Sequence, residues 1–185
     1  EGQSQAGPLP TGQTREAIEA WLTRFLALTT YEISCPALRD PALAPPGKTG
    51  LIVSLLFDYG LTEQIRDMGW YDDFKKFAES TVVAILDRSV FPGLSGAVCN
   101  RFSATPLTIS QIAGTSDGAI TGWAFTNRPM PAENRLLKVT NSVRTPMPDI
   151  LQAGQWTFSP SGLPTAILTG KLAADQATKA LKRQR

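Results

Sequence analysis

The chain has 185 residues, of which 42% are hydrophobic and 18% are charged, a composition typical of a globular protein. Its 18 basic and 16 acidic residues leave a net charge of +2, so the sequence lacks the basic character of a nucleic-acid-binding protein. The chain contains no histidine. A Ser-His-Asp triad, a histidine-ligated metal and a histidine general base are therefore excluded within it.

The cysteine content and the apolar runs restrict the class of protein further. Cys35 and Cys99 lie far apart and match no metal-ligand spacing, so we expect reduced core residues without a disulfide. The longest apolar run, Leu51 to Phe57, is far shorter than the roughly 20 residues that span a bilayer. Because the first residue is Glu1 and not methionine, we expect a processed or excised piece of a longer protein. We expect it to be cytoplasmic.

The N-terminal part of the chain is predicted to contain a helix and two strands. Residues 1–13 are rich in Gly, Pro, Gln and Ser, which is typical of a flexible tail or linker. Thr14 is expected to cap a helix. Four apolar residues of this helix repeat at helical spacing, namely Ile18, Trp21, Leu22 and Phe25. Leu28–Ser34 and Leu51–Phe57 are predicted strands, the second one buried, on either side of a proline-rich connection.

Helices and loops are predicted for the middle of the chain. Leu61–Asp67 and Trp70–Arg88 are predicted helices, and Gly96–Pro106 a strand. Thr105 is expected to open a helical turn over Pro106–Ala113. Turn positions follow at Gly114, Gly118, Gly122 and Pro129, and Arg135–Thr140 is a weaker strand prediction.

Two motifs favour simple structural interpretations. Ala44–Gly50, "APPGKTG", lacks the first glycine of a Walker A loop, which would be at Ala42, and an apolar run follows it where the motif needs a helix. A tight turn before a strand is the better interpretation. The basic end Lys179–Arg185 is best explained by cations that complement a helix dipole, and a peripheral membrane contact is the alternative.

The segment from Asp149 onward is the strongest candidate site. Asp149–Ala153 is predicted to form a strand that ends at Gly154, and Pro164 suits the first turn of a following helix. Free N–H groups at Thr165 and Ala166 would favour an anionic or carbonyl-bearing ligand. The helix has a face of small residues that permits close packing, namely Ala166, Gly170, Ala173, Ala174 and Ala177. On these residues alone, a plain strand–turn–helix corner explains the segment as well as a ligand site does.

Trp123 and Trp156, each beside a glycine, suit either ligand stacking or core packing.

Three stretches resemble one family of flavoproteins. "DILQAGQWTFSPSGLPTAILTGKLAAD" is similar to the C-terminal FAD-binding segment of the phytoene desaturase, carotenoid isomerase and retinol saturase group, of the amine-oxidase-like superfamily. "YEISCPALRDPALAPPGKTGLIV" and "SATPLTISQIAGTSDGAITGW" resemble its substrate-domain stretches. In place of the Pro-Gly-Gly that the group often has, this chain has Ser159, Pro160 and Ser161.

The resemblance implies a cofactor site at the start of the last helix. Gly154 would approach the pyrophosphate or ribityl of FAD, and Gln155 would offer its amide, beside Trp156 and Gly162. Leu163, Pro164, Thr165 and Ala166 would bring the helix N-terminus to the flavin ring. No catalytic residue and no metal ligand is assigned. The sequence contains no GxGxxG, so tight FAD binding would need an N-terminal portion as partner.

The expected fold is α+β. A mixed-sheet, substrate-domain-like region over 14–145 would be followed by a C-terminal segment, 146–185, that completes a Rossmann-type FAD domain. The expected function is part of an FAD-dependent oxidoreductase acting on an apolar polyene or isoprenoid-like substrate. Alternatives are part of a flavin amine-oxidase-like enzyme or a non-catalytic module that binds lipid or a partner. We also expect the exposed apolar surface of such a portion to support self-association.

Overall fold

A computed structural model of the chain describes residues 5–123 and 132–183. It contains two compact units, Glu1–Gly118 and Ala119–Arg185. The secondary structure combines many helices with a small two-stranded sheet, which is compatible with the α+β class. Within the described ranges, none of the helices combines the length and apolar character that crossing a membrane requires.

The first helix, α1 (Arg15–Leu28), organises the core of the first unit. The prediction that Thr14 caps it is confirmed, since its side chain accepts a hydrogen bond from the N–H of Ala17. The apolar stripe read from the sequence is buried, and Leu26 joins it. Before the helix, Ala6 is also buried, and the carbonyl of Gly7 accepts a hydrogen bond from the Trp21 indole at 3.2 Å.

Two further helices close this core. They are α2 (Tyr59–Asp67) and α3 (Tyr71–Arg88), both as predicted to within two residues. Asp58 caps α2 by accepting a hydrogen bond from the N–H of Leu61 at 2.7 Å. From α3, Phe74 stacks near Phe57 with ring centroids 5.6 Å apart. Burial of each large apolar side chain of this kind contributes roughly 1.5–3 kcal/mol.

The sheet consists of β1 (Glu32–Ser34) and β2 (Ile52–Ser54), which pair antiparallel with Ile33 opposite Val53. Both predicted strands were longer: α1 continues through Leu28 before β1 begins, and β2 ends at Ser54. The connection between the strands contains two short 3₁₀ turns, and Pro46 and Gly47 form a turn before β2, as expected. The prediction that the whole Leu51–Phe57 run is buried is wrong, because half-buried and exposed residues alternate along it.

The rest of the first unit contains α4 (Leu94–Ala97) and α5 (Pro106–Ala113). The strand predicted over Gly96–Pro106 is wrong, since the segment completes α4 and then continues without regular structure. The helix opened by Thr105 is confirmed, with a capping box between Thr105 and Thr108. Gly114 ends it at φ +66°.

The two cysteines are free thiols, as expected, but they are not core residues. Cys35 is half-buried and Cys99 is exposed. Cys99 lies in the irregular segment after α4, where its Sγ accepts a hydrogen bond from the Lys48 ammonium at 3.3 Å. Cys99 therefore lies beside a polar side chain and solvent, and not in the apolar core that was predicted for it.

The second unit contains α6 (Val139–Ser142) and the long helix α7 (Leu163–Arg183). The strand predicted at Arg135–Thr140 is wrong, because a 3₁₀ turn leads directly into α6. The strand predicted at Asp149–Ala153 is also wrong, since only Leu151 forms a bridge, antiparallel to Arg144. Among the described residues of this unit the segment has no neighbouring strand to pair with. The turn predicted at Pro129 lies outside the described residues.

Candidate functional site

The chain enters α7 through a turn that is fastened to the helix by Thr169. The N–H of Gly154 donates a hydrogen bond to the Thr169 hydroxyl at 3.1 Å. Thr169 is fully buried, and its hydroxyl lies 3.0 Å from the carbonyl oxygens of Thr165 and Ala166. One side chain on the second turn of α7 therefore positions Gly154, which comes 15 residues earlier.

Gly154 has a backbone conformation that favours glycine. Its φ is +105°, and a Cβ built on it would meet no described heavy atom within 4 Å. The need for glycine therefore arises from the backbone angle, and the space beside its Cα is open to a ligand.

Gly122 and Trp123 cover the other side of the turn. The N–H of Gly122 donates to the Ser161 hydroxyl, and the Trp123 indole donates to the carbonyl of Trp156 at 3.0 Å. A Cβ on Gly122 would lie only 2.0 Å from the carbonyl oxygen of Gln155, so no larger residue fits without movement. The sequence signal for this contact was the Gly-Trp pair, where a turn at Gly122 and either ligand stacking or core packing of Trp123 were predicted.

The two tryptophans of the second unit pack against each other instead of in a core. The rings of Trp123 and Trp156 meet edge to face, with centroids 5.3 Å apart. Their exposed fractions are 39% and 38%, so each keeps a ring surface accessible to solvent. Such surfaces are suited to contact with a planar ligand or an apolar partner.

Three consecutive residues between the glycine turn and the helix are buried. Thr157, Phe158 and Ser159 are all inaccessible, and the N–H of Ser159 donates to the carbonyl of Glu133 at 3.0 Å. The Ser159 hydroxyl has no hydrogen-bond partner among the described residues. An unpaired buried hydroxyl costs roughly 1–3 kcal/mol, which makes this serine an unusual choice for a purely structural position.

Glu133, whose backbone carbonyl contacts this buried stretch, also has an ordered carboxylate. Its Oε1 accepts hydrogen bonds from Arg135 Nε at 2.9 Å and from the N–H groups of Asn134 and Arg135 at 3.2 and 3.0 Å. The bond from the Arg135 side chain is the largest cause that lowers the pKa of Glu133 to about 2. The carboxylate is therefore ionised at any pH near neutrality.

The N-terminus of α7 is open to solvent. Leu163 is 75% exposed and Pro164 is also exposed, whereas Thr165 and Ala166 are half-buried. The N–H of Ala166 donates to the carbonyl of Gly162 at 2.9 Å, but the N–H groups of Leu163 and Thr165 have no partner among the described residues. Unpaired N–H groups and the helix dipole together favour an anionic or carbonyl oxygen at this end.

The eight sequence-predicted residues lie in the second unit, in two groups. Gly154, Gln155 and Trp156 form the first half of the turn, and Gly162–Ala166 lead into α7. The contacts of Gly122, Ser161 and Thr169 join the two halves, and none of these three was predicted as a site residue. Thr169 could have been noticed as a polar residue among the small and apolar positions of the helix.

The outward face of α7 is apolar and exposed. It contains large residues at its ends and small ones between them: Leu163, Ile167, Ala174, Ala177 and Leu181. On its inner face, Gln176 donates to the carbonyl of Thr140 at 2.8 Å and accepts from Arg144 at 3.2 Å. The helix is therefore anchored to its own unit along one side only.

Comparison with known proteins gives one informative similarity. No protein-family model matches the chain, and the search of solved structures gave no match. The chain is 28% identical over 169 residues to a protein named phytoene dehydrogenase from Streptomyces griseus. That match covers 86% of this chain and 32% of the other protein, so the chain spans about a third of the length of the curated relative that it matches.

Proposed function

We propose that the chain is the C-terminal part of an FAD-dependent oxidoreductase of the desaturase, saturase or isomerase type. The observation that carries this proposal is the similarity to a phytoene dehydrogenase over 86% of the chain, and three stretches of the sequence also resemble the flavoprotein group. An apolar polyene or isoprenoid-like compound is the proposed substrate. The flavin, when bound, would supply the hydride acceptor or donor.

The turn before α7 fits the proposed FAD in two respects. Gly154 combines a positive φ with open space beside its Cα, so that its backbone can approach a bulky group closely. The first N–H groups of α7 would stabilise negative charge on the carbonyl of the reduced flavin ring. Gln155, half-buried beside them, would donate its side-chain amide to the ribityl or pyrophosphate.

The departure from Pro-Gly-Gly is compatible with this role. The Ser161 hydroxyl accepts a hydrogen bond from Gly122, so this extra side chain is engaged within the turn. Ser159 is fully buried and adds no bulk at the surface of the turn. Pro160 is the exposed member of the three, and we propose that it borders the ligand.

The proposed cofactor also requires a partner. With no GxGxxG in the sequence, the ADP half of FAD has no binding loop in this chain. We propose that an N-terminal portion of the same enzyme supplies that loop and that its sheet covers the exposed face of α7. The chain alone is then expected to bind FAD weakly.

A pair of glycine variants tests the site. Gly154→Ala and Gly93→Ala both place a Cβ at positive φ, +105° and +88°, where no described atom lies within 4 Å. Each is expected to cost roughly 1–3 kcal/mol of stability through backbone strain. In the chain combined with its N-terminal portion, Gly154→Ala should weaken FAD binding about tenfold or more, a loss of about 1.4 kcal/mol. Gly93→Ala should leave FAD binding unchanged, and equal affinities for the two variants would contradict the assigned site.

A further inference from the structure

β2 has an outer edge that is not paired within the described residues. β2 pairs with β1 on one side only. On its other side, no strand, turn or side chain within residues 5–123 and 132–183 bonds to the backbone of Ile52, Val53 or Ser54. A two-stranded sheet is only marginally stable in water.

Apart from the exposed Ser54, the side chains of β2 and its continuation are apolar on both faces. Leu55 and Phe57 pack against the core of the first unit. On the opposite face, Ile52 is 52% exposed and Leu56 is 76% exposed. No charged residue occurs between Lys48 and Asp58.

This pattern differs from that of a natural edge strand. Edge strands in contact with water carry charges, prolines or bulges that prevent further pairing, and β1 has such a charge in Glu32. Runs that are apolar on both faces are typical of strands inside a sheet, covered on each side. β2 therefore has the sequence of an interior strand and the position of an edge strand.

We infer that the free edge of β2 pairs with an additional strand from another portion of the same longer protein. The matched relative has two-thirds of its length outside the match, which is ample for such a strand. A second copy of this chain is a poorer occupant. Pairing two strands of three residues buries far less than the roughly 1,200 Å² of a stable interface, whereas a strand on the same chain benefits from a high effective concentration.

The inference rests on the proposed function only in needing a second portion of the protein, and not on flavin. Residue-resolved amide exchange on the complete polypeptide tests it. In an interior strand the amides of Ile52, Val53 and Ser54 are all bonded and should all be protected at least about tenfold. In an edge strand protected and unprotected amides alternate.

Alternating protection in a folded protein would overturn the inference while leaving the proposed function intact if flavin is bound. Full protection of the three amides in a protein that binds no flavin would support the inference and contradict the proposed function. Full protection that disappears on dilution would identify a second copy as the occupant and overturn the inference.

Two lysine variants add a control. Ile52→Lys places a charge on the outer face of β2, whereas Leu38→Lys places one at a residue that is 81% exposed in the preceding connection. Protection of the β2 amides should fall in Ile52→Lys and remain in Leu38→Lys. Equal protection in both variants would count against a covered β2.

Discussion

At the scale of single residues, the turn before α7 depends on a glycine and a threonine that are distant in sequence. Gly122 lies against the carbonyl of Gln155, and Thr169 holds the N–H of Gly154. The sequence indicated the glycines and the helix start, because φ and capping preferences are local properties. It did not indicate either contact, because both join residues that come near each other only through packing.

Gly122→Ala should destabilise the second unit by roughly 1–3 kcal/mol, because its Cβ would lie 2.0 Å from the oxygen of Gln155 and force the turn to move. Urea denaturation followed by tryptophan fluorescence measures the change. Gly96→Ala is the matched control, since nothing lies within 4 Å of its Cβ. Equal stability of the Gly122→Ala variant and the unmodified protein would show that the turn is looser than described.

Glu133 makes the stability of the second unit depend on pH in the acidic range. Its pKa is about 2 in the folded protein against an ordinary value of 4.5, mainly because Arg135 donates a hydrogen bond to the carboxylate. The folded state thus binds this proton less readily than the unfolded chain does. The stabilisation is complete above pH 4.5 and is lost as the pH falls through about 2.

An NMR titration of the Glu133 carboxyl checks this prediction directly. Replacing the donor in Arg135→Gln should move the pKa back toward 4.5, because the side-chain hydrogen bond is the largest cause of the shift. A carboxyl that titrates near 4.5 in the unmodified protein would contradict the described ion pair.

At the scale of elements, helices were easier to predict than strands. The helical spacing of Ile18, Trp21 and Phe25 and the cap at Thr14 are signals contained within one segment, and α1 forms as predicted. Strands need a neighbouring strand; among the described residues of their units, Gly96–Pro106 has none and Asp149–Ala153 has only the isolated bridge from Leu151 to Arg144. These segments do contain apolar residues, but an apolar segment forms a strand only when it pairs with another strand.

The core around α1 provides a stability test at this scale. Phe25→Ala should cost roughly 3–5 kcal/mol, because Phe25 is 1% exposed and stacks on Trp21 at 4.9 Å. Leu28→Ala, on the same helix and 47% exposed, is the control and should cost much less. Thermal unfolding of the two variants gives the comparison, and similar losses would show that the stripe is not the centre of the core.

At the scale of the whole molecule, apolar surface remains exposed where a partner would lie. The outward face of α7 includes Ile167 at 65% exposure, on the helix that the proposal places against the N-terminal portion. Ile167→Asp should therefore weaken association with that portion about tenfold or more, since it buries a charge in an apolar contact.

Leu137→Asp is the matched control for that association, because Leu137 is 99% exposed in the same unit but lies outside α7. Isothermal titration of each variant against the N-terminal portion measures the affinities. If Leu137→Asp weakens binding and Ile167→Asp does not, the partner lies elsewhere.

The most direct test of the central claim is the visible absorption spectrum of this chain purified together with its N-terminal portion. We expect the absorption of bound oxidised flavin, which should bleach on reduction and weaken in Gly154→Ala but not in Gly93→Ala. A correctly folded complex that contains no flavin, and takes up none when FAD is added, would contradict it.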